Sequence, residues 1–178
     1  MKKIIYIIVI LTVLVNACQP PKKKEIVNQL PHQNFDFGVF DTAGVAHKLV
    51  RGQIVYLPVY SNIPYHIDSS KFDMNAFVAI HNLDLQQKIK LKKVMYFDTD
   101  GKLVFDFLKG KDLVINPIAT KDFYVPYEDK SGTGANFLIE WEADTLVCEP
   151  LIESVTYNLR NNQSAAVLSA GKVIKEKK

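Results

Sequence analysis

The chain has 178 residues, 48% of them hydrophobic and 23% charged, with 22 Lys and Arg against 19 Asp and Glu for a formal charge of +3. That composition supplies one sizeable core and excludes collagen-like, coiled-coil, disulfide-scaffold and fully disordered chains. The positive excess is too small to suggest nucleic acid, and no nucleic-acid partner is expected.

Met1-Lys2-Lys3 precedes an apolar run from Ile4 to Val15, followed by Asn16-Ala17-Cys18. The run is short of the roughly 20 residues that span a bilayer as a helix. A basic start, a short apolar middle and a small residue at the end predict a cleaved secretory signal peptide over residues 1–17. Val15-Asn16-Ala17-Cys18 resembles a bacterial lipobox, in which the cysteine thiol is diacylated and becomes the first residue of the mature chain. The resemblance makes Cys18 the expected lipid attachment site and the membrane the first expected partner. It places the protein in the bacterial cell envelope, by default on the outer membrane facing the periplasm. Two or three acyl chains together anchor stably where one does not.

Residues 18–34 read as a lipidated tether, extended by Pro20 and Pro21 and by repulsion among Lys22, Lys23 and Lys24. Each of these lysines near an anionic leaflet adds about 1 kcal/mol of attraction. Charge is uneven along the chain: residues 25–171 hold 13 basic and 18 acidic residues, while the last seven include Lys172, Lys175, Lys177 and Lys178. Residues 35–52 alternate weakly around Phe35, Phe37, Val39 and Phe40 and are left as an edge segment of uncertain membership.

From residue 53 the pattern is β, and a single domain is expected over 53–174 with a basic tail at 175–178. Ile54 to Tyr60 is β-branched and aromatic with Pro58 inside it, which predicts an edge or bulged strand. Asn75 to His81 places Ala76, Val78 and Ile80 on one buried face. Ile89 to Phe97 turns Ile89 and Leu91 inward, and its alternation slips at Lys92-Lys93, as a bulge would cause. Asp98-Thr99-Asp100-Gly101 is a turn, and Leu103 to Phe107 completes a hairpin. Short strands follow near 113–115 and 123–125. Phe137, Ile139 and Trp141 then share one face, with Glu140 and Glu142 on the other. Ile152 to Leu159 is the last clear strand, and Val167-Leu168 and Val173-Ile174 flank a turn at Gly171. Seven or eight short strands without a helical segment predict an all-β fold, an antiparallel Ig-like or Greek-key β-sandwich.

Four segments carry a resemblance: Val55 to Ser61, Tyr96 to Val104, Asp129 to Trp141, and Pro150 to Val155. Together they resemble a bacterial family known as a domain of unknown function, number thirty-one twenty-four, across roughly 53–174. The Ser131 to Phe137 stretch is the most specific part, while His81 departs from the arginine that the family pattern leads one to expect. The resemblance implies a fold and an envelope location, and no activity.

Candidate sites are few. Ser131, Gly132, Gly134 and Asn136 form a glycine-rich loop followed by a strand rather than a phosphate-binding helix. Gly132 and Gly134 are expected to allow positive φ, and the loop is a candidate recognition element at one end of the sandwich. Tyr56, Tyr60 and Tyr65 near an expected strand edge are a candidate interface, because tyrosine combines apolar area with a polar tip. Asp98-Thr99-Asp100-Gly101 resembles half a calcium loop but lacks the further carboxylates that calcium requires.

His32, His47, His66 and His81 have no zinc-motif spacing, although His66 with Asp68 and Asp73 could meet in space, and no metal or cofactor is expected. With Cys18 lipidated, Cys148 is a lone cysteine beside apolar residues, read as a small buried hydrophobe. No Gly-x-Ser-x-Gly elbow exists, and Glu140/Glu142 are expected to point outward. The function expected is therefore a non-enzymatic binding or scaffolding module with an envelope protein as partner. A small-ligand or metal-binding domain is the alternative, and a hydrolase is the less favoured one.

Overall fold

The computed structural model describes residues 36, 49–64, 71–129, 131–159 and 164–177. The expected signal peptide, Cys18, the tether, most of the 35–52 segment, Tyr65, His66 and Asp68 lie outside the described residues.

The described residues contain twelve strands and no helix. They are β1 (Leu49–Pro58), β2 (Asn62–Pro64), β3 (Lys71–Asp73), β4 (Asn75–His81), β5 (Ile89–Phe97) and β6 (Leu103–Asp106). After them come β7 (Leu113–Ile115), β8 (Thr120–Val125), β9 (Asn136–Cys148), β10 (Leu151–Asn158), β11 (Ala165–Ala170) and β12 (Lys172–Glu176). The first sheet runs β12-β1-β9-β5-β6, with β7 also on β5; the second runs β11-β10-β4-β8; β2 and β3 form a small separate ribbon. All pairings are antiparallel. The two large sheets make the β-sandwich that strand alternation predicts.

Alternation decides which residues fill the space between the sheets. Val55, Leu57, Ile89, Leu91, Phe137, Ile139 and Trp141 from the first sheet are buried, and so are Ala76, Val78, Ile80, Phe123 and Ile152 from the second. Full burial of each large side chain contributes roughly 1.5–3 kcal/mol. The bulge in β5 falls where the lysine pair breaks alternation, with the register on β9 shifting between Leu91 and Lys93.

Of the two expectations for Ile54 to Tyr60, a bulged strand agrees with the structure and an edge strand is corrected. β1 is an inner strand, flanked by β12 and β9, and it carries register shifts against both. Pro58 is tolerated because pairing with β12 ends at Tyr56, so the missing N–H lies beyond that ladder. β1 also begins at Leu49 and β12 runs to Glu176, with Lys177 N bonding Gly52 O at 2.8 Å. Ordered structure thus extends past 53–174 at both ends. The additional strands are short ones, β2 and β3, that carry three residues each, and the short strand expected near 113–115 is β7.

Candidate functional site

The aromatic residues of β5, β6 and β9 build an open-sided groove. Tyr96 on β5 is 2% exposed, and its ring lies tilted against Phe137 of β9 with centroids 5.0 Å apart. Phe107, just after β6, lies 5.6 Å from Phe137, 5.3 Å from Phe123 of β8 and 4.9 Å from Phe105. This aromatic cluster is a floor between the β6 edge of the first sheet and the β8 edge of the second. Above it lies a concavity of about 420 Å³, with Tyr96, Val104, Phe105 and Phe107 on one side. Tyr124, Val125 and Pro126 form the other side, and Glu128 and Asp129 close one end.

The β6 wall breaks the usual rule for a half-buried strand. Leu103, Val104 and Phe105 are three consecutive apolar residues exposed by 53%, 45% and 45%. The cause is a bulge: Phe105 pairs with Tyr96 and Leu103 with Phe97, so Val104 is the extra residue. Phe105 thereby shares the inward face of Tyr96, and both Phe105 and Val104 line the groove. From the other wall, apolar surface continues over the outside of the second sheet. There the registers align Tyr124, Phe77, Val155 and Leu168 across four strands.

The glycine-rich loop fastens the acidic end of the groove. Tyr96 Oη donates to Asp129 Oδ2 at 2.7 Å and also contacts Ser131 Oγ. The Ser131 hydroxyl and backbone N–H both donate to the same Asp129 oxygen. Ser61 Oγ donates to Gly132 O and accepts from Gly132 N, both at 2.9 Å, and Thr133 Oγ1 donates to Asn62 Oδ1 at 2.9 Å. Thr99, in the β5–β6 turn, accepts at Oγ1 from Gly134 N at 3.1 Å. Burial pushes the Tyr96 phenol well above its ordinary value, so it remains a hydrogen-bond donor across the physiological range.

The sequence-predicted residues fall in three places. Ser131 and Gly132 belong to the fastening just described, and Gly132 has φ +112, as its expected positive φ requires. Gly134 has no positive φ, and a side chain there would meet Thr99 only at ordinary contact distance; the close approach to Thr99 is at Gly132. Asn136 enters β9 opposite Pro58 and Phe97. Tyr56 projects from the middle of the first sheet, paired with Leu138 and Lys172, and Tyr60 follows the end of β1. The structure does not bring Tyr56 or Tyr60 to the groove.

The remaining candidates have structural partners. Asp98 Oδ1 accepts from Asp100 N and Lys102 N at 2.9 and 2.8 Å, and Gly101 has φ +76, so this segment is a hairpin turn. Among the described residues no group of three or more His, Cys, Asp or Glu side chains gathers as a metal ion would require. His81 Nδ1 lies 2.8 Å from Thr120 Oγ1 and its Nε2 3.6 Å from Glu153. Glu140 and Glu142 point outward and are taken up by lysines: Lys177 and Lys93 on Glu140 at 2.5 and 3.1 Å, and Lys92 on Glu142 at 3.6 Å. Burial and the neighbouring Asp84 charge push the Cys148 thiol up, away from the reactive thiolate.

Sequence reasoning missed Val104, Phe105, Phe107, Tyr124, Glu128 and Asp129 as a group. One signal was present: three consecutive apolar residues in a short hairpin strand cannot all face one core.

Comparison with known proteins identifies the class first. The model of the family described as "Protein of unknown function (DUF3124)" matches residues 52–174, and the chain belongs to that family. No curated protein matches the chain. A solved structure, described as the crystal structure of Thermotoga maritima 1070, is similar with a TM-score of 0.44 at 10% identity, over 70% of this chain and 97% of that one.

Proposed function

We propose that the protein is an exported lipoprotein, anchored through Cys18 and held off the bilayer by residues 18–34. Its sandwich binds a partner in the bacterial envelope at the open β6–β8 edge and performs no chemistry of its own. One observation carries the binding reading: the exposed Leu103-Val104-Phe105 wall beside an aromatic-floored groove, at a sheet edge that no described strand covers. Exposed contiguous apolar surface in a soluble domain marks an interaction site. The anchor reading is supported by the basic start, the short apolar run and the lipobox-like ending at Cys18. The non-enzymatic reading is supported by the carboxylate pair being occupied by lysines and by the Ser131 hydroxyl being bonded to Asp129.

A small apolar ligand in the groove is the second reading, favoured by a volume within the range of small-molecule pockets.

The test is in-cell cross-linking with co-purification from native envelopes, comparing wild type, Phe105→Ser and Cys18→Ser. The reading expects a partner adduct that falls sharply in Phe105→Ser, and a Cys18→Ser protein that no longer partitions into detergent. An adduct unchanged by Phe105→Ser would contradict the binding face. A Cys18→Ser protein that is processed and partitions normally would contradict the anchor.

A further inference from the structure

Resting on the binding-face reading above, we infer that the occupant of the groove is an extended basic segment of a partner protein. Its backbone adds to the β6 edge, its apolar side chains enter the groove, and a Lys or Arg meets Glu128 and Asp129.

Two independent observations point there. The first is backbone. Among the described residues β6 pairs only with β5, and β8 only with β4, so a strand edge without a described partner flanks each side of the groove. Proteins usually blunt such edges with charge. β8 carries Lys121 and Asp122, whereas three of the four residues of β6 are exposed and apolar. β6 is thus the edge left open to an incoming strand, the mode by which extended peptides join a sheet. Because β6 is only four residues long, few backbone bonds form, and the side-chain pocket must contribute the rest.

The second is charge. The charged residues lining the groove are Glu128 and Asp129, both acidic, and among the described residues no basic side chain lines it. Asp129 is held in place by Tyr96 and Ser131, all three bonds converging on one carboxylate oxygen. Glu128 is exposed and has no ion pair among the described residues. A second copy of the chain would bring a second pair of acids to the same place, which disfavours self-association by this face.

The experiment uses the full chain in detergent and two labelled synthetic peptides, one alternating valine with lysine and one alternating valine with glutamate. Binding is read by fluorescence anisotropy at low salt. Amide hydrogen exchange on the complex then reads where the peptide sits. The lysine peptide is expected to bind more tightly than the glutamate peptide by on the order of tenfold or more. Glu128→Lys should weaken it by a similar factor with unchanged thermal stability, and the amides of Leu103 to Asp106 should gain protection. Equal binding of the two peptides, binding of neither, or protection confined to β11–β12 would overturn the inference. A concentration-dependent dimer lost in Phe105→Ser would overturn it in favour of a second copy. If Phe105→Ser still abolishes partner capture in cells while the lysine peptide shows no preference, only the basic-strand inference fails. If capture survives Phe105→Ser, the binding face fails with it.

Discussion

At the β11–β12 edge the chain passes from the second sheet into the first with a single residue between the strands. Gly171 makes that corner, donating its N–H to Ile152 O at 2.8 Å, and a side chain there would meet Val55 Cγ1 at 2.6 Å. At the opposite edge β6 and β8 belong to different sheets and no strand joins them directly. The β7–β8 connection bridges the sheets at one end, where Asn82 Nδ2 donates to Ile115 O and Asn116 O. Beyond it, among the described residues, the interior is covered by the aromatic floor. One edge is sealed by a single-residue corner and its steric fit, the other by a longer connection at one end and by side chains along the rest. The difference teaches that the sandwich can spare its β6–β8 side for binding, because its integrity rests on the core and on the sealed corner.

The most severe way to break that contrast is to remove what both edges lean on. Phe137→Ala takes away the ring beneath Tyr96 and Phe107, and should cost about 3–5 kcal/mol in urea denaturation. A cost below about 1 kcal/mol would mean the floor is not part of the core.

The contrast is sharpened by pairing Gly171→Ala with Phe105→Ser. The first overpacks the sealed corner against Val55 and the Ile152 carbonyl, and should lose about 1–3 kcal/mol. The second changes an exposed ring and should lose no more than about 1 kcal/mol. Reversal of that order would place the structural burden on the open edge.

Tyr96 gives a pH test of the groove's fastened end. Its folded-state pKa lies above the unfolded phenol value of about 10, so folding favours the protonated form. The associated stability is fully present below that value and is lost as pH rises through it toward the folded pKa. The slope is up to about 1.4 kcal/mol per pH unit. Tyr96→Phe should flatten the alkaline limb of the stability profile; an unchanged limb would show that another group titrates there.

The smallest effect is expected on the outer face of the first sheet. Lys93→Ala removes one of two lysines on Glu140 and should cost about 0.2–1 kcal/mol at low salt, vanishing at high salt. A larger, salt-independent loss would mean that Lys93 packs rather than pairs.

Much of the sandwich is legible from alternation alone. Ala76, Val78 and Ile80, and Phe137, Ile139 and Trp141, face inward as their spacing dictates, and the β5 bulge falls at the lysine pair. Strand order is not legible, because alternation specifies a face and not a neighbour. That is why β1, with Pro58 inside it, reads as an edge or a bulged strand, and only its pairing makes it a bulged strand between β12 and β9. The groove was hidden for a related reason. Its walls come from β6 and β8, which no local pattern connects, and the bulge that turns Val104 and Phe105 the same way follows from pairing with β5. The glycine-rich loop was visible as a feature. Its role as the fastening of Tyr96 and Asp129 depends on contacts with Ser61, Asn62 and Thr99 that are distant in sequence.

The central claim is that the open edge, and not the sealed one, meets the partner. It is tested most directly by placing a photo-crosslinking amino acid at Phe105 in one strain and at Ile174 in another, each in the native envelope. Ile174 is a fair control because it is also exposed and apolar, on β12 at the sealed edge. The account predicts a discrete adduct from position 105 and none from position 174. Adducts of equal yield from both positions, or one from position 174 alone, would contradict it.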